Sequence, residues 1–227
     1  MNQLLAIIIA FVSFTGFSQI TQDSVLMLNG KVFHGEFVEL NEVENDSVLQ
    51  FKLTNGKTEN FSTQRIFSYT SKGDNNILYR KDEFKGDFLS IEETKAVTFG
   101  SFDARKTFKP HVPFWSGYAL GLGATVFDTY LTKKDTIGAV SQDLQPGFFQ
   151  KKPSLFPFLV PAVVTVSWSF PSFKLKQRNI IHKEYFRNEN FYRGYHRIAK
   201  QKRMLSSLLG SISGIATGLL IYGIVPK

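Results

Sequence analysis

MLSSLLGSISGIATGLLIYGIV, residues 204–225, runs for twenty-two residues without an Asp, Glu, Lys, Arg or Pro. At about 1.5 Å per residue a helix of this length measures roughly 33 Å, against about 30 Å for a bilayer core. Gly210, Gly214 and Gly218 recur at four-residue spacing, and Ser207 and Ser211 form a second small row beside them. Small residues on one stripe let another helix approach backbone to backbone. This stretch therefore reads as a membrane-spanning helix, and the rest of the chain is read outward from it.

The segment before it is basic. Residues 174–203 hold ten Lys and Arg against Glu184 and Glu189, a local +8 that equals the net charge of the whole 227-residue chain. The remainder is neutral, so the charge is no global field of the kind a nucleic-acid binder shows. Phe191, Tyr195 and Ile198 fall on one helical face over 190–203, with Arg193, Arg197 and Lys200 on another. That is an amphipathic helix leading into the last span. Arg193, Arg197, Lys200, Lys202 and Arg203 are candidate contacts for anionic membrane headgroups. A protein partner is the alternative, and nucleic acid, which interleaved aromatics could stack, is the weakest reading.

Two further apolar stretches precede it. Residues 114–131 carry one charge, Asp128, with Gly117, Gly121 and Gly123 for close packing and Trp115, Tyr118 and Tyr130 near the ends. This reads as a first membrane helix. Asp128 is an interfacial or helix-pairing acid, or a buried partner for a basic residue of the last span. Residues 132–153 are a polar connection. Residues 155–173 are apolar but contain Pro157, Pro161 and Pro171, which suits either a span or a kinked, re-entrant segment.

At the other end, the apolar run 4–14 is followed by Gly16 and Ser18, placed for cleavage after Ser18 as in a secretory signal. An uncleaved anchor is the alternative. Residues 19–85 turn to strands. Val48 to Leu53 alternates, and Asn29-Gly30 and Asn55-Gly56 are hairpin signals. Gly35 marks a bend or bulge within a strand. Five or six short strands imply a small antiparallel barrel or curled sheet. Ser90 and Glu93 form a capping box that opens a connecting helix over 90–107, stopped before Pro110 and Pro113.

Chemistry finds little purchase in this sequence. There is no cysteine, hence no disulfide, thiolate nucleophile or Cys-based zinc site. His34, His111, His182 and His196 are isolated in sequence, and no nucleophile elbow, phosphate-cradling loop or H-E-x-x-H run occurs. No catalytic, cofactor-binding or metal-ligating residue is expected.

The order of segments resembles a known group. A signal ending Gly16-Phe17-Ser18-Gln19, the module Asn29-Gly30-Lys31-Val32 with Gly35-Glu36, and Phe99-Gly100-Ser101-Phe102-Asp103-Ala104-Arg105-Lys106 before a glycine-rich span are similar to uncharacterised exported membrane proteins of flavobacteria. Phe191-Tyr192-Arg193-Gly194-Tyr195 and Lys200-Gln201-Lys202-Arg203 before a glycine-rich helix extend the likeness. The resemblance implies an envelope location and brings no activity.

The sequence thus predicts a mixed α+β membrane protein: a small β domain, a helix and two to three transmembrane helices, non-enzymatic and without cofactors. The β module is expected outside the cytoplasm after signal cleavage, binding a protein or envelope component, with glycine-striped helices packing the spans or pairing subunits. An accessory subunit of a transport or export complex is the rival, with Asp128 and the proline-rich segment lining a path. Three full spans would leave the basic segment on the outer side, against the tendency of Lys and Arg to stay cytoplasmic. Either 155–173 does not cross, or the N-terminal run stays as a fourth span, or the helix ends disobey the rule.

Overall fold

The computed structural model describes residues 22–43, 46–138, 156–170, 175, 177 and 180–224. The expected signal at 1–18, most of the 132–153 connection and the end of the proline-rich segment lie outside these residues. The chain divides into two units, a sheet unit ending at Ile91 and a helical unit from Glu92.

The sheet unit is an open, six-stranded antiparallel sheet, not a closed barrel. Its strands are β1 (Asp23–Met27), β2 (Val32–Val43), β3 (Asp46–Leu53), β4 (Thr58–Ser62), β5 (Ile66–Ser71) and β6 (Asp74–Ile77). The order is β4-β3-β2-β1-β5-β6, so β1 to β4 meander and a 3-10 turn, Thr63–Arg65, returns the chain to the free side of β1. The alternation in β3 sets the register: Leu49 pairs with Leu40 and Phe61, and Leu49 and Phe51 are fully buried. Val25, Met27, Phe61 and Ile66 complete that core.

Both Asn-Gly turns adopt one geometry. Gly30 and Gly56 take positive φ while the asparagines do not. Instead Asn29 Oδ1 accepts from Lys31 N–H and Asn55 Oδ1 from Lys57 N–H. The glycine N–H groups bond back to Met27 and Leu53. Each turn is thus a type I turn closed by a left-handed glycine, in place of a two-residue mirror-image turn. The pair of positive φ values falls on Lys72 and Gly73, between β5 and β6. In β2 the register shifts between Phe37 and Glu39, and a Cβ on Gly35 would lie closer than 3.0 Å to Lys52 O. The irregularity thus falls just past Gly35, at Phe37 to Glu39.

The described helices are α1 (Ile91–Thr107), α2 (His111–Gly138), α3 (Phe156–Ser167) and α4 (Glu189–Ile224). The end of the basic segment, from Glu189, and the apolar stretch after it are therefore one continuous helix up to Ile224. It is long and apolar enough to cross a membrane. Its first half lies against α1: a Cβ on Gly100 would meet Phe191 O, and one on Gly194 would meet Val97 O. Its second half lies against α2: a Cβ on Gly210 would meet Phe114 O, and one on Gly214 would meet Tyr118 O. From Ser101 with Gly194, through Ala104 with Lys202 and Pro110 with Ser206, to Phe114 with Gly210 and Tyr118 with Gly214, the residue numbers rise together. So α1 and α2 succeed one another along α4, all running the same way. Helix α3 runs back, since Trp168 at its end donates from Nε1 to Ser116 Oγ near the start of α2, at 2.9 Å.

Burial reverses along α4. In its first half Phe191, Tyr195, Ile198 and Ala199 are buried and Arg193, Arg197 and Lys200 exposed, as a helix in water requires. In its second half Ser207, Gly210, Ser211, Gly214 and Gly218 are buried while Leu205, Leu209, Ile212, Leu220 and Ile221 face out. Trp115, Leu120 and Phe127 of α2 and Phe158, Leu159 and Val163 of α3 are likewise exposed.

Candidate functional site

The helical unit changes character where α1 gives way to α2. Proline at 110 and 113 has no N–H to continue the helical ladder, so the last carbonyls of α1 need donors from elsewhere. They come from α4. Lys202 Nζ donates to the carbonyls of Ala104, Arg105 and Phe108, and Ser206 Oγ donates to Pro110 O at 3.0 Å. An ammonium there also meets the negative end of the α1 dipole. Burial, and then the nearby Arg197 guanidinium, hold Arg105 below its ordinary pKa.

One turn earlier, Asp103 is fully buried. Its Oδ2 accepts from the backbone N–H of Ile181 at 2.8 Å and of His182 at 3.0 Å, and its Oδ1 lies 2.7 Å from His182 Nδ1. The imidazole stacks on Phe99 at 4.2 Å and meets Phe102 edge-on at 5.7 Å. His182, isolated in sequence, thus has a carboxylate partner 79 residues away. No spacing rule could have found it. Three donors converging on one buried carboxylate fasten the 180–188 stretch to α1, beside Leu175, Ile180 and Tyr185 of the same core. A buried carboxylate–imidazole pair could orient a base, but both Asp103 oxygens are engaged in this anchoring.

The residues singled out in the sequence separate by place. Gly117 and Gly121 face Ser207 and Ser211, and Gly210, Gly214 and Gly218 face Phe114, Tyr118 and Thr125, all within one chain. Gly123 has nothing within 4 Å of an added Cβ. Asp128 is only 8% exposed within α2. Of the five basic candidates, Lys202 is engaged with α1 carbonyls and Arg203 is buried, while Arg193, Arg197 and Lys200 are exposed. Arg197 also reaches Ser101 Oγ at 3.4 Å.

The sheet unit carries a separate cleft of about 1050 Å³. Phe37 and Tyr69 stack at its wall, 5.1 Å apart and 14° from parallel. Asp23 holds the wall in shape, accepting from Phe37 N–H at 3.0 Å and Lys72 N–H at 2.8 Å. Glu36, Lys52 and Lys72 supply both signs of charge. A stacked aromatic surface rimmed by mixed charge suits a peptide or another ligand with flat faces and polar edges. Comparison with protein-family models, curated proteins and solved structures finds no match to this chain.

Proposed function

We propose that this is a non-enzymatic membrane protein of the cell envelope, holding its sheet unit on the periplasmic side to bind a protein or envelope component. The observation that carries the membrane part is the reversed burial of α2 and α4. Outward leucines over inward glycine and serine suit helices surrounded by lipid, where close packing of small residues holds the helices together. With α2, α3 and α4 all embedded, the shared direction of α2 and α4 requires the chain between them to return, which is the course α3 takes. At about 18 Å, its twelve described residues need flanking chain to complete a crossing. The signal-like run at 4–18 and the resemblance to exported flavobacterial proteins both support a location of the sheet unit outside the cytoplasm.

The binding part rests on the Phe37–Tyr69 cleft. A photo-crosslinking residue at Tyr69 of the full chain in cells should give a discrete adduct, lost when Phe37→Ala removes the ring stack. After alkaline carbonate washing the chain should stay in the membrane pellet. Release to the supernatant would overturn the membrane reading, and absence of any adduct the binding reading. The second reading, a transport or export accessory, draws on Asp128, buried within an apolar helix as functional membrane acids are. Loss of export in Asp128→Asn cells with an intact sheet cleft would favour it.

A further inference from the structure

Lys106 and Lys109 are exposed where α1 ends. The bonds from Lys202 to Ala104, Arg105 and Phe108 place that end level with Lys202 of α4. Lys106 of α1 and Lys109 just past its end therefore reach the same height as Arg197 and Lys200 of α4, although they stand about ninety residues apart in sequence. The outward apolar surface begins just beyond, at Val112 and Trp115 on α2 and Leu205 on α4. At about 1.5 Å per residue, Lys200 stands roughly 7.5 Å and Arg197 roughly 12 Å before Leu205, while Arg193 stands about 18 Å before it. A headgroup layer is only about 5–8 Å deep on each side of the core. A long aliphatic stem lets Lys200, and Arg197 once released from Ser101 Oγ, span the remaining distance toward the phosphates, while Arg193 lies beyond reach.

We infer that Lys106, Lys109, Arg197 and Lys200 form a collar, around the end of α1 and the middle of α4, that binds anionic phospholipid headgroups in the leaflet next to the start of α2. The collar combines charge complementarity to phosphate with direct continuity to the lipid-facing surface. It also sorts the basic segment by role. Lys202 closes a helix end, Arg203 is buried, Arg193 stands clear, and two lysines outside the segment join the site. The Lys106 ammonium already lies over the Phe102 ring at 4.9 Å, which fixes its position while leaving it exposed.

This inference rests on the membrane reading above, and the experiment separates the two. The full chain in detergent is titrated with phosphatidylglycerol and with phosphatidylcholine of matched acyl chains, and bound lipid is counted by native mass spectrometry. Phosphatidylglycerol should be preferred, with about a fivefold loss of that preference for each collar cation changed to Gln. Arg193→Gln should leave it unchanged, and the charge-conserving combination Lys106→Arg, Lys109→Arg, Arg197→Lys and Lys200→Arg should preserve it. Equal binding of the two lipids by a chain that resists carbonate extraction overturns the collar alone. So does a loss in Arg193→Gln as large as in Arg197→Gln, or a loss in the charge-conserving variant. Extraction by carbonate removes the membrane reading and the collar with it.

Discussion

Burying a carboxyl group is costly unless donors replace the lost water, and Asp103 has three. Asp103→Ala leaves the Ile181 and His182 N–H groups without their acceptor, so it should cost about 3 kcal/mol. The local signature is faster hydrogen exchange at those two amides, and unchanged exchange there would remove the anchoring role. Lys72 presents the opposite case. Its φ of 52° lies in the left-handed region, where a non-glycine residue is strained by about 1 kcal/mol. Glycine relieves that strain and keeps the N–H that Asp23 accepts, at some entropic cost. Lys72→Gly should therefore raise the stability of the sheet unit by up to about 0.5 kcal/mol, read as a higher midpoint in thermal unfolding. A lower midpoint would show that the Lys72 side chain contributes more than its backbone angle costs.

At the scale of elements, the α2–α4 contact depends on glycines that touch backbone. Gly210→Ala puts a methyl closer than 3.0 Å to the Phe114 carbonyl oxygen, and neither backbone can yield without parting the helices. A loss of about 2 kcal/mol or more is expected. Gly123→Ala, with open space around it, should instead gain up to about 1 kcal/mol from helix propensity. Thermal unfolding of the two variants in the same detergent checks the pair, and equal effects would mean that the close approach is not what holds α2 to α4. The glycine spacing could be seen in the sequence. Its partner could not, because a small-residue stripe serves an intramolecular neighbour and a second subunit equally well.

For the whole molecule, the packing constrains topology more tightly than charge counting does. No crossing segment lies between β6 and α1, and α1 packs along the basic half of α4. Epitope tags near Asn75 and within 179–190 should therefore show the same protease accessibility in intact spheroplasts, both digested if the sheet unit is periplasmic. Digestion of one tag alone would break the parallel arrangement of α2 and α4. The sequence by itself determined the strand pattern, the positions of the hairpin turns, the helix stop before Pro110 and the apolar stretch at the end, whereas Pro113 sits in the first turn of α2. These follow from local periodicity and from residues whose backbone preferences act alone. Only the tertiary structure decided that the sheet stays open and that α1 and α2 succeed one another along α4. It also decided that Asp103 meets His182, and that Lys202 closes α1 while Lys106 and Lys109 rise level with Arg197 and Lys200. Those contacts join residues 79 to 98 positions apart, where no local preference reaches and the direction of packing settles which groups meet.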